Sequence, residues 1–459
     1  MIKLERKNLK EVRISIDEMG KVYFYNNRVL RVINEDYIHV VKEIFESGFL
    51  NKLIELELFP MTWIVDDIKI SGYNFIVEHK TVKYWNYPYE WSFNMLKDAA
   101  LVLLEVNNIA NQFGFELIDT HFNNVVFDRT KPKFFDLGGF EVIKDKSIWK
   151  GYIGFYDHFY ATLYLWSNGY VNSARNITLM NICFSQDEFF KIKHPIIYTK
   201  AVSKMFLNIR RLAVTSSYKI ESKFNSIIIK KILFIIKKII QSKFSGSALE
   251  VKVKKLNYYK GSSTWGDYHT NIAVEREKRF QRVLEIICTF KDANTLVEVA
   301  SNQGKFASYV STNSHLENII ATDYDEEAVD TMYLNNRNST NLVPFIFDFI
   351  RPSGRILDTP IQDRIKSDIV MALALTHHLI LSQNIDIDYI LKSMRALTNK
   401  YIIIEFMPLG LYDSKLHITP KVPTYYTTQW FKDNFEKYFF LITDEQLEVN
   451  RHLFVGKTK

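Results

Sequence analysis

Three carboxylates recur where a parallel sheet would bring them side by side. Glu298 stands in Val297-Glu298-Val299-Ala300-Ser301-Asn302-Gln303-Gly304, Asp323 closes Ile319-Ile320-Ala321-Thr322-Asp323, and Asp348 closes Phe345-Ile346-Phe347-Asp348. Each belongs to an apolar run of strand length. A carboxylate at such a strand end can accept both hydroxyls of a ribose, and the helix N-terminus that follows offers free N–H groups to an anion. Bulk is excluded at Ala300 and Gly304 if a ligand is to approach the backbone there. Taken alone, the first motif is equally an ordinary strand-to-helix turn; three acids in register are a far more specific pattern. The next apolar run, 368–375, leads into Thr376-His377-His378. A histidine near neutrality can take the proton from an attacking hydroxyl, amine or imidazole. Of the pair, His377 is the preferred candidate, with structural packing the alternative for either. A paired-histidine metal site is not expected, because adjacent residues seldom converge and no DxH or HxxxH partner accompanies them. Glu405, in Ile404-Glu405-Phe406, either orients a histidine or the acceptor, or is a buried carboxylate with a structural partner.

The elements that must position these residues follow from periodicity. From 275 a helical pattern runs to Ile287, and apolar runs at 295–300, 318–323, 343–347, 367–373 and 400–406 alternate with helical stretches, among them 326–335 and one from about 385. Such alternation predicts an α/β fold with a parallel sheet covered on both faces, whose ligands bind at the carboxyl ends of the strands. Asp325 and Glu326 are expected to cap the helix after Asp323.

On these motifs, 262–455 resembles a bacterial class I S-adenosylmethionine (SAM)-dependent methyltransferase with a Rossmann-like sheet. It is similar in particular to the nodulation-associated and ribosomal-protein-methyltransferase-like group, through Trp265-Gly266-Asp267-Tyr268, Leu373-Ala374-Leu375-Thr376-His377-His378-Leu379 and Ile404-Glu405-Phe406. The resemblance implies SAM as cofactor. Glu298, Ala300, Asn302 and Gly304 then form the acidic-GxGxG motif, with Ala300 and Asn302 replacing two glycines; Asp323 takes the ribose, and Asp348 the adenine amino group. His377, His378 and Glu405 are left for catalysis, and Trp265 and Tyr268 either cover the cofactor or pack under the first helix.

The N-terminal part carries a second spacing. Asp119 is followed five residues later by Asn124, and Asp136-Leu137-Gly138 comes shortly after, across two short apolar runs. The order resembles the catalytic loop and Asp-x-Gly of kinase-like folds, and a helix predicted over 91–113, stopped by Gly114, stands where such a fold needs one. The resemblance implies an α+β kinase-like domain with Asn124 and Asp136 at an Mg-nucleotide site. The sequence departs from it in lacking a glycine-rich loop, and Arg31 or Lys80 must replace the phosphate-pairing lysine. Otherwise the segment is an extension whose Asp and Asn residues shape turns. Ahead of it, 21–25 and 28–33 flank Asn26-Asn27 as a hairpin, and 36–50 has helical period.

At 459 residues the chain exceeds one ordinary core. The expected division is 1–200, a basic helical linker at 201–261, and 262–459, hinged near Phe244-Ser245-Gly246-Ser247 and Gly261-Ser262-Ser263. Composition is that of a globular protein, 47% apolar and 24% charged. The formal charge of +7 permits contact with nucleic acid or an anionic membrane, but much of the excess lies in 223–255, away from the motifs. Lysine pairs at 230–231 and 237–238 oppose an isoleucine face within 226–243, which suits a linker helix docked on its own protein or, alternatively, peripheral membrane contact. Cys183 and Cys288 lie far apart, which speaks against a disulfide framework or thiolate zinc. The N-terminus has no apolar signal core, and no window is long enough to span a membrane, which leaves the cytoplasm by elimination. The expected activity is methylation of an O or N of a small-molecule, saccharide or peptide acceptor. An RNA or protein methyltransferase and a nucleotide-binding kinase-like scaffold are the alternatives; no RNA-binding motif is visible.

Overall fold

The computed structural model describes residues 2–11, 18–144, 149–214, 245–261, 274–412 and 420–459. Trp265, Tyr268 and the lysine-isoleucine stretch 226–243 lie outside the described residues. The chain divides into two compact units, Met1–Lys83 with Tyr87–Tyr89 and Phe93–Tyr259, and Tyr84–Asn86 with Glu90–Ser92 and Lys260–Lys459.

The first unit begins with a five-stranded antiparallel sheet, in spatial order Lys10–Glu11, Gly20–Tyr25, Arg28–Ile33, Phe75–His79, Thr62–Ile64. Its central hairpin is the predicted one. Asn26 and Asn27 both take positive φ, 44° and 64°, as a two-residue turn between right-twisted strands requires. The helical pattern at 36–50 becomes two helices, Ile38–Glu46 and Phe49–Glu55, because Gly48 between them turns left-handed at φ 79°. The 20-residue helix Phe93–Gln112 buries Phe93, Leu96, Ala100, Leu103 and Leu104 along one stripe. Two antiparallel pairs follow, Phe115–Leu117 with Phe140–Val142 and Val125–Asp128 with Lys131–Phe134, and then a mostly helical remainder.

The second unit is built on a seven-stranded sheet. Its strands are β1 (Thr295–Val299), β2 (Asn318–Asp323), β3 (Leu342–Ile346), β4 (Ser367–Ala372), β5 (Thr398–Phe406), β6 (Phe439–Glu448) and β7 (Arg451–Thr458). They lie in the order β3-β2-β1-β4-β5-β7-β6, with β1 to β5 parallel, β7 antiparallel to β5 and β6 antiparallel to β7. The helices are α1 (Lys278–Thr289), α2 (Lys305–Asn313), α3 (Glu326–Asn335), α4 (Ile361–Ile365), α5 (Ile387–Leu397) and α6 (Thr428–Phe435). Alternate strand residues feed two cores. Leu296, Ile319, Ile369 and Ile403 meet Val283, Ile287, Phe306 and Met332 on α1 to α3. Val297, Ile320, Val370 and Ile402 meet Ile365, Ile390, Met394 and Phe431 on α4 to α6. Each fully buried Leu, Ile or Phe contributes roughly 1.5–3 kcal/mol. The topology therefore reverses between β1 and β4, and a crevice at the carboxyl ends follows from that reversal. Among the described residues no helix is long and apolar enough to cross a membrane.

Candidate active site

The turn between β1 and α2 has an unusual backbone. Ala300, Asn302 and Gly304 take positive φ at alternate positions, 59°, 52° and 68°. For Ala300 that conformation costs roughly 1–3 kcal/mol, while asparagine tolerates it better. Hydrogen bonds to β2 hold the turn: Ser301 N–H donates to Thr322 O at 2.8 Å, and Thr322 N–H to Ser301 Oγ at 3.1 Å. At Gly304 a Cβ would come within 2.5 Å of Met332 Cγ, so α2 starts closer to α3 than any side chain allows. The chain thus keeps the shape of a glycine turn at positions where two glycines are absent.

Two carboxylates face this turn differently. Asp323, 5% exposed, accepts N–H from Asn302 at 2.7 Å through Oδ2 and from Asp325 at 2.9 Å through Oδ1. Burial outweighs these bonds and pushes its carboxyl up to about 6. Glu298 is buried too, and its Oε2 has no hydrogen-bond partner. Burial, opposed in part by hydrogen bonding to Ser301 and to the Ala307 backbone and reinforced by Asp323, drives the Glu298 carboxyl up to about 8. Asp348, half-buried, accepts N–H from Ile350 and Arg351 at 2.9 and 3.0 Å. Asp325 caps α3 by accepting from Glu327 and Ala328, as its position predicts.

Beyond β4 the chain turns at Ala374, again left-handed at φ 51°, and delivers Thr376, His377 and His378. Glu405, 1% exposed, holds this turn. Its Oε2 accepts N–H from Ala374 at 2.9 Å and from Arg451 Nη1 at 2.7 Å, and its backbone carbonyl accepts from Thr376 Oγ1 at 2.9 Å. Arg279 Nη1 stands 3.9 Å from Oε1. Glu405 is thus a buried carboxylate bonded to the Ala374 backbone and to Arg451. His377 is 6% exposed and its Nδ1 has no partner. Burial, with His378 and Arg451 nearby, holds His377 down at about 3. The two imidazole centroids are 4.1 Å apart, and burial lowers His378 as well. Tyr426, which sequence reasoning missed, is 3% exposed with an unpartnered hydroxyl, packed 4.7 Å from the Phe406 ring at the end of β5. Arg451 and Arg279 were missed likewise; only their lying in β7 and α1 beside Glu405 marks them.

In the first unit Asp119, Asn124 and Asp136 do lie around the two short strand pairs. Asn124 Nδ2 donates to Asp119 O at 3.3 Å, and Arg31 Nη2 donates to Asp136 Oδ1 at 2.6 Å with both side chains mostly buried. Gly138 N–H donates to the same Oδ1 at 3.1 Å. Arg31, one of the two candidates to replace the phosphate-pairing lysine, and Gly138 thus share Asp136 Oδ1, so an Mg²⁺ held with Asn124 would have to take the other carboxylate oxygen. Among the described residues no group of three His, Cys, Asp or Glu side chains is placed to hold a metal ion. Beside Asp119 stand residues that spacing did not reveal: His121 Nε2 is 3.4 Å from Asp119 Oδ2, and Cys183 Sγ is 3.4 Å from His158 Nε2.

No family model matches the chain. It is 25% identical over 429 residues to the nodulation protein NoeA of Rhizobium meliloti, covering 85% of this chain and 83% of that protein. Among solved structures it is similar to the N-methyltransferase NodS of Bradyrhizobium japonicum bound to S-adenosylhomocysteine, with 8% identity, 43% of this chain, 93% of that chain and a TM-score of 0.32. A SAM-dependent methyltransferase from Aquifex aeolicus gives 13% identity, 39% and 89% coverage and a TM-score of 0.29. The bifunctional kinase-methyltransferase WbdD gives 10% identity, 44% and 43% coverage and a TM-score of 0.30.

Proposed function

We propose that the second unit binds SAM and transfers its methyl group to an oxygen or nitrogen of a small-molecule, saccharide or peptide acceptor. The observation that carries this reading is the left-handed series Ala300, Asn302, Gly304 beside a buried Glu298 whose Oε2 has no partner. Strain held at a strand end that faces a topological switch is a functional rather than a folding expense. The turn leaves room for a ligand against the backbone, and the α2 N-terminus offers it N–H groups. Asp323 retains lone pairs beyond its two backbone donors and can accept from ribose hydroxyls. Glu298 answers a positive charge, which would return its carboxyl to the ionised form. Asp348 lies two residues past the end of β3, available to an adenine amino group.

SAM supplies an electrophilic methyl on a sulfonium. The chain's own contribution is position and proton handling. Burial and neighbouring positive charge keep His377 neutral at physiological pH, so it is suited to orienting an attacking hydroxyl or amine by a hydrogen bond and is too weak a base to hold its proton. Glu405, held by Arg451, is a positioning residue: through Ala374 and Thr376 it fixes the segment that carries the histidine. Replacing Asp323 with Ala should abolish calorimetrically detected binding of S-adenosylhomocysteine. Unchanged affinity in that variant would remove the cofactor assignment.

For the first unit we infer a kinase-like arrangement that binds a nucleotide or serves as scaffold. Its support is the five-stranded antiparallel sheet with Arg31 on the third strand and the Asp119, Asn124, Asp136 order behind the long helix. With Asp136 ion-paired to Arg31, the reading extends to binding and not to phosphoryl transfer. Titration with ATP, with and without Mg²⁺, tests the reading; no binding at millimolar nucleotide would leave only the extension.

A further inference from the structure

The second unit takes in two short pieces from far upstream in the chain, Tyr84–Asn86 and Glu90–Ser92. They close on each other, because Trp91 Nε1 donates to Asn86 Oδ1 at 2.7 Å with both side chains buried. The Glu90 carboxylate is paired with Arg364 of α4, and the two side chains are only 3% and 2% exposed. The pair is bidentate: Arg364 Nη1 donates to Glu90 Oε2 at 2.9 Å, and Nη2 donates to Oε1. Nη1 also donates to Trp85 O at 2.9 Å, and Nε donates to Thr359 O at 3.0 Å. The Trp85 ring centroid lies 4.9 Å from the guanidinium carbon. Tyr84 belongs to the same buried core as Phe347 and Phe349, which flank Asp348, and as Ile361 and Ile365 of α4.

A fully buried ion pair adds little net stability, since leaving water costs the two ions about what their attraction returns, and apolar side chains would fill the same space. What the pair adds is direction. A planar guanidinium fixes its acceptors in one arrangement, and Thr359 O is among them. The stretch 349–360 joins Asp348 to α4, and it is pinned along its length. Asp348 accepts from Ile350 and Arg351 at its start, Arg355 forks onto Asp358 at 2.9 and 3.0 Å, and Arg364 takes Thr359 O at its end. We infer that Glu90 is a positioning residue for cofactor binding: by fixing Arg364 it holds the stretch 349–360, and with it the segment just past β3 that presents Asp348. The inference rests on the SAM reading of this unit. Without Glu90 the guanidinium keeps its charge in a buried place without a counter-ion, so it turns towards water and releases Thr359 O and Trp85 O. The adenine side of the site is then loosened. Asp323 and the turn before α2 keep their own hydrogen bonds and stay in place.

Calorimetric titration of full-chain Glu90→Gln with S-adenosylhomocysteine, well below the unfolding midpoint, separates positioning from stability. A purely structural pair lowers the midpoint and leaves the affinity of folded protein as it was. Positioning raises Kd at least about tenfold; natural affinity in the folded variant overturns the inference. If Glu90→Gln does not fold, Glu90→Leu with Arg364→Met refills the space with apolar side chains but leaves the Thr359 and Trp85 carbonyls without their donor. That chain should fold and bind at least about tenfold more weakly, and natural affinity there overturns the inference too. If the unsubstituted chain binds no S-adenosylhomocysteine, the cofactor reading fails by itself, and amide hydrogen exchange decides the positioning. Exchange should quicken across 347–351 and hold steady across 300–304 in the variant; unchanged exchange at 347–351 overturns the inference.

Discussion

Glu298→Gln isolates the most unusual electrostatic feature of the second unit. In the folded protein the Glu298 carboxyl titrates near 8 against a usual 4.5, because burial disfavours the anion. Between those values the folded state holds a proton that the unfolded state has lost. The stability contribution is therefore fully present below about pH 4.5 and falls as pH rises towards 8. The slope is about 1.4 kcal/mol per pH unit, which amounts to about 3 kcal/mol by pH 7. Glutamine cannot titrate, so the variant lacks this slope, whatever constant its amide adds or subtracts. Denaturant unfolding of both proteins from about pH 5 to about pH 8 measures the difference directly. The stability of the natural chain should decline relative to the variant by several kcal/mol across that range. Parallel curves would show that Glu298 is ionised and partnered in the folded state, and would refute the reasoning.

Other outcomes follow from the same geometry. Gly304→Ala places a methyl against Met332 at a left-handed position; it should cost about 1–3 kcal/mol in denaturant unfolding, and Met332→Ala should recover only the steric part. Glu405→Gln weakens the tie between Arg451 and the Ala374 turn, so kcat of methyl transfer should fall at least about tenfold while cofactor affinity holds; unchanged kcat would show that the turn needs no such tie. Because His377 titrates near 3, the rate should show no acid limb from it between about pH 5 and about pH 8; a limb near pH 6.5 that His377→Gln abolishes would contradict this. For stability the sign is opposite to that of Glu298: His377 opposes folding as pH falls from 6.5 towards 3, where only the unfolded state takes up the proton.

The sheet of the second unit was legible because its first five strands are apolar runs, with Glu298, Asp323 and Glu405 in or at the end of β1, β2 and β5. The antiparallel pair β6 and β7 was not. Alternating residues such as Phe440, Ile442 and Asp444 leave half of β6 exposed, and without a glycine-rich hairpin the pattern reads as loop. The cofactor candidates were readable as types, but only the structure shows that Ala300 and Asn302 adopt the conformation of the glycines they replace. The role of Glu405 depended on Arg451, 46 positions away in sequence, and nothing local marks that pairing. In the first unit the Asn26-Asn27 turn and the stop at Gly114 were plain from residue type. The Arg31 to Asp136 ion pair is a tertiary event between a strand and a distant turn, and residue type alone does not announce it.

If the second unit holds SAM, Glu298 faces a positive charge and gives up its proton on binding. Calorimetric titration of the full chain with SAM near pH 7, in two buffers of different ionisation enthalpy, tests it most directly. One-site binding with release of close to one proton, absent in Glu298→Gln, is the predicted result. No binding by well-folded protein, or binding with no proton released, would contradict the account.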